Sequence, residues 1–264
     1  MFGNITLGQY IPGDSVIHRA DPRVKIILSL IFMILIFIIN TYIGFLVMGI
    51  FAITAILISG IPVGYTLKGL KPVLFIVIFT VIINLFTTKG TPILEIGLVK
   101  ITIEGIDISI KLSLRLFLMV IMASILTLTT TPILLADAIE SLMKPFEYIG
   151  VPSHEIAMMM TISLRFIPTL MEETDKIMKA QASRGADFDT GNFVQRAKSF
   201  IPVLVPLFVS AFKRADDMAI AMEARCYRGG KGRTRMRQLK ISSLDYKIMV
   251  TCAIVTIMVI YFNV

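Results

Sequence analysis

Long apolar runs separated by short charged connectors constrain this chain more than any other feature. Five runs are visible, at about Pro22 to Ile39, Tyr42 to Ser59, Leu70 to Phe86, Ile106 to Thr130 and Leu244 to Phe262. Each is close to the ~20 residues that cross ~30 Å of hydrocarbon. In hydrocarbon a segment must satisfy its own backbone hydrogen bonds, so such runs fold as helices. The chain is 56% hydrophobic, above the ~45–50% of soluble domains. Its mean hydropathy is +0.82. These features predict an all-α integral membrane protein with about five transmembrane helices.

Local signals set the boundaries. Asp21 suits a helix N-cap and Pro22 the first helical position. Asn40-Thr41 reads as a tight turn, and Gly60-Ile61-Pro62 stops the second helix. Residues 1–20 are mixed in character and are placed at the membrane surface. The first apolar run follows His18-Arg19-Ala20-Asp21-Pro22-Arg23-Val24-Lys25 without a small-residue cleavage site, so it is read as a retained span. Between about residues 87 and 105 the chain partly alternates apolar and polar residues and carries glycines, which predicts a small extracellular β-hairpin or an irregular lid.

Residues 132–243 have a different character. Leu134 to Ile149 is amphipathic. A helix is expected from about His154 to Arg184, some 45 Å long at ~1.5 Å per residue. Its first half is methionine-rich, with Met158, Met159 and Met160, and its second half is charged. Another helix is expected from about Phe193 to Arg225. Its apolar part, Ile201 to Phe212, is too short to span. Three regions result: a four-span region over residues 1–131, a region of long amphipathic helices over 132–243 and a final span over 244–264. Arg19, Arg23, Lys25, Lys68, Lys71 and most basic residues of 131–243 fall on one side of this scheme. The positive-inside rule makes that side cytoplasmic, with the C-terminus extracellular.

Within the middle region two stretches match. Ala180-Gln181-Ala182-Ser183-Arg184-Gly185 and Ala221-Met222-Glu223-Ala224-Arg225-Cys226 each end on arginine and one small residue. An aspartate precedes each arginine by nine positions, Asp175 and Asp216. Upstream stand Phe166-Ile167-Pro168 and Phe200-Ile201-Pro202. Cations at helix C-termini are mildly favoured, by ~0.3–1 kcal/mol, which would explain one arginine. A matched pair points to a docking device, because arginine offers a planar fork of donors suited to carboxylates and carbonyls. Pro168, Pro202 and Pro206 are expected to kink the two helices. The methionine cluster fits core filling, or a surface able to repack against a partner.

Other chemistries find little support. The net charge of +8 and the basic stretch Arg228 to Arg237 are explained by the positive-inside rule, and few aromatics stand ready to stack nucleic-acid bases. Anionic lipid headgroups are the better partner for that stretch. The chain lacks the Gly-x-x-x-x-Gly-Lys-Ser/Thr phosphate loop. His18, His154, Cys226 and Cys252 are scattered, and no metal site is expected. Asp216-Asp217 is weak as a magnesium site, and Gly185 to Gly191 is read as a turn.

Taken together, the paired arginines, the long amphipathic helices, the five-span layout and the stretch His18 to Lys25 resemble the transmembrane T component of energy-coupling factor transporters, EcfT. The resemblance covers nearly the whole chain. Its most specific elements are the two X-Arg-X coupling motifs, Ser183-Arg184-Gly185 and Ala224-Arg225-Cys226. The family often has Ala-Arg-Gly there, and Ser183 and Cys226 are small substitutes. The resemblance implies a non-catalytic subunit without cofactors of its own. It further implies two ATPase partners that bind ATP and dock at Arg184 and Arg225. A separate membrane-embedded substrate-binding S component, for a vitamin or a transition-metal ion, would meet the apolar faces of the coupling helices, with Met158, Met159 and Met160 as candidate contacts. The alternatives are a permease with its own pathway, which would show ionisable residues in mid-span, and an intramembrane enzyme, which would need clustered His, Asp or Glu.

Overall fold

The computed structural model describes residues 10–96, 99–188, 192–229 and 239–263. They divide into two compact units, residues 10–138 with 239–263, and residues 139–229. In chain order the helices are α1 (Val16–Arg19), α2 (Pro22–Ile38), α3 (Tyr42–Ser59), α4 (Val63–Thr87), α5 (Ile103–Thr129) and α6 (Pro132–Met143). There follow α7 (Ser153–Ser183), α8 (Phe193–Ser199), α9 (Ile201–Ala224) and α10 (Ser243–Asn263).

Among the described residues four helical segments are long and apolar enough to cross a membrane: Tyr42–Ser59, Lys68–Thr87, Ile103–Thr129 and Ser243–Asn263. The 17 residues of α2 reach about 25 Å, the short end of the spanning range. Phe37, Leu46, Phe75 and Phe79 point outward from these helices, the surface that lipid requires. Inside the first unit, Phe32, Ile36, Met48, Leu118, Met122 and Val259 form part of one buried cluster.

The capping signals work as the sequence predicts. The Asp21 carboxylate accepts from the Arg23 N–H at 2.9 Å, and Pro22 opens α2. Thr41 caps α3, which ends on Gly60 in the left-handed region at φ +68°. Two helices start earlier than expected. Gly64, Gly69 and Pro72 do not interrupt α4, and Thr102 caps α5 at once by accepting from Gly105 N–H at 3.1 Å. Between them, strands β1 (Pro92–Ile96) and β2 (Val99–Thr102) pair antiparallel with Glu95 opposite Lys100. The expected hairpin is therefore present, and its residues 97–98 lie outside the described residues.

Two polar ties join α2 to α10 across more than two hundred residues. At one end the buried Asp245 carboxylate accepts from Asp21 N–H and Ser242 N–H, both at 2.7 Å. At the other, Asn263 accepts from Asn40 N–H at 2.9 Å and donates to the Ile38 carbonyl at 3.2 Å. Start meets start and end meets end, so α2 and α10 run in the same direction. Lys25 Nζ donates to the Thr129 carbonyl at 3.1 Å and to Thr130 Oγ1 at 3.2 Å. The starts of α2 and α10 and the end of α5 thus share one face. On the opposite side Arg115 of α5 donates to the Ile36 carbonyl at 3.1 Å and the Ile39 carbonyl at 2.8 Å, closing off α2.

In the second unit the amphipathic stretch before α7 splits. Helix α6 ends at Met143, and Lys144–Ile149 continues as a 3-10 helix because Pro145 cannot donate to an α-helical ladder. The expected helix over 193–225 is also divided. Phe200 ends α8, and its carbonyl accepts from Val203 and Leu204 N–H at 3.0 and 2.9 Å to start α9. Pro202 sits in the first turn of α9, where its missing N–H is harmless. It opens a helix and does not kink one. Pro168 and Pro206 do lie inside helices, α7 and α9. Residues 1–9 of the expected surface segment, 189–191 of the expected turn and 230–238 of the basic loop lie outside the described residues.

Candidate functional site

The two arginine motifs fold into the same backbone structure. At the end of α7, Gly185 N–H bonds to the Ala182 carbonyl and Ala186 N–H to the Gln181 carbonyl, both at 3.0 Å. At the end of α9, Cys226 N–H bonds to the Glu223 carbonyl at 2.8 Å and Tyr227 N–H to the Met222 carbonyl at 3.1 Å. Both are Schellman caps, in which the residue after the C-cap adopts the left-handed conformation. Arg184 and Arg225 are the C-caps, with φ −90° and −93°. Gly185 follows at φ +88° and Cys226 at φ +56°. The sequence match is thus a match of hydrogen bonds.

This cap explains the small residue after each arginine. Glycine takes positive φ without a clash, and cysteine does so with strain. Among the described residues Cys226 is the only non-glycine with positive φ. Cys226→Gly is therefore expected to stabilise the second tip by about 1 kcal/mol, seen as a raised melting temperature of the detergent-solubilised protein. Gly185→Ala is expected to destabilise the first tip by a similar amount.

Ser183, Arg184, Gly185, Ala224, Arg225 and Cys226 are all exposed. Among the described residues neither arginine side chain has an ion pair or hydrogen bond. Two permanently charged forks therefore stand open at the two helix ends.

A polar clamp holds α7 against α9. Glu173 of α7 accepts from Arg214 Nη2 at 2.7 Å and from the Ser210 hydroxyl, four residues apart on α9. Ile162, Phe166, Leu170, Ala215, Met218 and Met222 line an apolar cavity of about 300 Å³ between the two helices. Near the start of α7, Glu155 Oε1 lies 3.9 Å from the Cβ position of Gly229, which follows α9. The helices therefore run in opposite senses, and their tips lie at opposite ends of the pair. Arg184 is eleven residues beyond Glu173, and Arg225 is eleven beyond Arg214. Each tip thus stands about 16 Å along its helix from the clamp, on opposite arms.

The prolines do not share this symmetry. Pro168 precedes Arg184 by sixteen positions and Pro202 precedes Arg225 by twenty-three. The Phe-Ile-Pro triplets are a likeness of sequence only. Asp175 and Asp216 keep their equal offsets, one half-buried and one exposed. Among the three methionines Met159 faces outward and Met158 and Met160 are half-buried, as consecutive helical residues 100° apart must differ.

An exposed apolar ridge lies along α9. Ile201, Val205, Phe208, Val209 and Phe212 are all more than half exposed along the first half of α9. Their i, i+4, i+7, i+8, i+11 spacing is the available signal, since it marks an apolar stripe on a helix too short to span. The Glu173 clamp leaves little trace in the sequence beyond Ser210 and Arg214 at i, i+4 on α9. Among the described residues no three His, Cys, Asp or Glu side chains gather as a metal site would.

The family model CbiQ, described as cobalt transport protein, matches residues 13–236. A Ruminiclostridium cellulolyticum protein named energy-coupling factor transporter transmembrane protein EcfT is 63% identical over 245 residues, 93% of this chain and 92% of the relative. Proteins of the same name from Thermosediminibacter oceani and Clostridium kluyveri are 58% and 53% identical, and the matches cover 91% and 97% of this chain and 91% and 96% of the relatives. With matched coverage along both partners and more than half of the residues shared, this chain belongs to the EcfT family of energy-coupling factor transporter transmembrane proteins.

Proposed function

We propose that the chain is the coupling subunit of an energy-coupling factor importer. It links ATP hydrolysis by two partner ATPases to substrate release by a separate membrane-embedded substrate-binding component, for a vitamin or a transition-metal ion. The observation that carries this reading is the pair of equivalent caps, each presenting an unpaired arginine, at opposite ends of one clamped helix pair. Such a pair suits two like partners better than one. ATP is bound by those partners, and this chain supplies contact and transmission with no catalysis and no cofactor. The α9 ridge from Ile201 to Phe212 offers an apolar surface to the substrate-binding component, and Met159, toward the other end of the helix pair, offers a separate adaptable contact. The face holding Arg19, Arg23 and Lys25 is cytoplasmic by the positive-inside rule, and the end of α10 is extracellular.

A permease with its own pathway would keep unspent ionisable groups in mid-span. Arg115 is instead engaged with the carbonyls of α2, and Lys111 pairs with Asp107 at 2.7 Å. In this reading the Glu173 clamp transmits force between the tips. Arg214 is more than a third exposed, so screening reduces the stability lost in Glu173→Ala to about 1 kcal/mol. Uptake per ATP hydrolysed is expected to fall well beyond that loss of stability, and Glu173→Gln, which keeps an acceptor, to fall less. A tagged chain should co-purify an ATP-hydrolysing pair and a second membrane protein. Isolation alone, from membranes in which uptake is active, would refute the proposal.

A further inference from the structure

A groove in the first unit runs between α2, α3, α5 and α10 and encloses about 910 Å³. Its walls are apolar, with Phe32, Phe51, Ile125 and Val255 among the lining residues. Ile50, Ile58 and Met258 form exposed rims, so it opens sideways. Two lysines stand at one end, Lys25 in the first turn of α2 and Lys247 in that of α10. The Asp245 tie holds these two helix starts together. Below Lys247 the groove continues to Met258 on α10, and on α3 it runs from Ile58 to Val47, eleven residues in each case. That depth is about 16 Å, half the ~30 Å hydrocarbon thickness and so one leaflet.

The polar groups are distributed as a lipid would need them. Lys25 donates to His18, Thr129 and Thr130. Lys247 is exposed and, among the described residues, has no side-chain partner. The nearby carboxylates are occupied: Asp21 takes Arg23, and Asp245 takes two backbone N–H groups. Three cations, Arg23, Lys25 and Lys247, against two carboxylates leave one positive charge at the mouth. One turn below Lys25, the buried Ser29 hydroxyl lines the groove with no hydrogen-bond partner among the described residues.

We infer that this groove binds one anionic phospholipid, its phosphate at Lys247, its ester region at Ser29 and an acyl chain along α3 and α10. Basic pockets between membrane helices hold anionic headgroups in this way.

Native mass spectrometry of the full chain in mild detergent, with added phosphatidylglycerol or phosphatidylcholine, tests the inference. Phosphatidylglycerol is expected to be retained about tenfold more tightly. Lys247→Gln should bring the two lipids within about twofold of one another, and Lys247→Arg should restore the preference. Thr251→Trp, on the exposed side of the groove, should remove both lipids. Equal retention of the two lipids by the unaltered chain would overturn the inference. So would unchanged phosphatidylglycerol binding by a folded Thr251→Trp variant. Because Lys247 is exposed, its variants keep the test decisive if the tryptophan variant does not fold.

Discussion

Replacing both tip arginines, Arg184→Ala with Arg225→Ala, is expected to abolish association with the ATPases and with it substrate uptake. Each guanidinium is exposed and lacks a partner in the described chain, so its removal leaves the fold of this chain unchanged. The loss falls on the interface, where a buried arginine anchor is typically worth about 2 kcal/mol or more. That is about 30-fold in affinity for one tip. The tips lie far apart along the helix pair, so their losses should add, to about 1,000-fold for the double variant. Single variants should retain partial association through the other tip. Lysine should rescue poorly at both positions, because a point charge cannot reproduce a planar fork. Pull-down and uptake measured side by side check all four outcomes. Full association by the double alanine variant would show that the arginines are ordinary helix-end cations.

The largest effect on stability is expected at Asp245. Its carboxylate is 1% exposed and accepts two backbone N–H groups at 2.7 Å, one from Asp21 and one from Ser242. Asp245→Ala leaves both donors unpaired, the Asp21 N–H in a buried site and the Ser242 N–H in an exposed one, and removes a negative charge beside Lys25. Loss of a buried charged partner costs about 3–5 kcal/mol. The Asp21 cap depends on this tie, so the starts of α2 and α10 should loosen together. Asp245→Asn retains one acceptor and should fall between the two. Thermal unfolding in detergent gives the order: natural chain, then asparagine, then alanine. An alanine variant as stable as the natural chain would mean that the tie contributes little.

Much of the fold is legible in the sequence because membrane physics is restrictive. Apolar length, Asp21-Pro22, Asn40-Thr41 and Gly60 locate the early helices within a few residues. The hairpin over 92–102 follows from alternation and glycine. Misreadings occur where one proline has two possible roles. Pro202 and Pro206 are four residues apart, yet the first opens α9 and the second lies within it. The difference rests on Phe200, whose carbonyl starts a new helix, and nothing in its residue type announces that.

The tips were legible as a repeated pattern, and the structure explains the pattern as a cap. A positive-φ position after each arginine accounts for Gly185, and Cys226 shows that the geometry is kept even with strain. What sequence spacing could not give is the direction of the tips. The Glu173 clamp and the approach of Glu155 to Gly229 set the helices in opposite senses. The two arms are equal in length only when measured from that clamp, a contact between residues 41 positions apart.

Site-directed photocrosslinking at the tips reports whether each arginine lies against an ATPase. Cys226 is exposed beside Arg225, and the other cysteine, Cys252, is buried in α10. A short maleimide photocrosslinker on Cys226, or on Ser183→Cys in a Cys226→Ser background, reports what lies against each tip of the assembled transporter. Both positions are expected to crosslink to an ATPase subunit, and a chain labelled at both positions to capture two ATPase copies. Crosslinks to the substrate-binding membrane component alone, or capture of one ATPase by both tips, would contradict this arrangement.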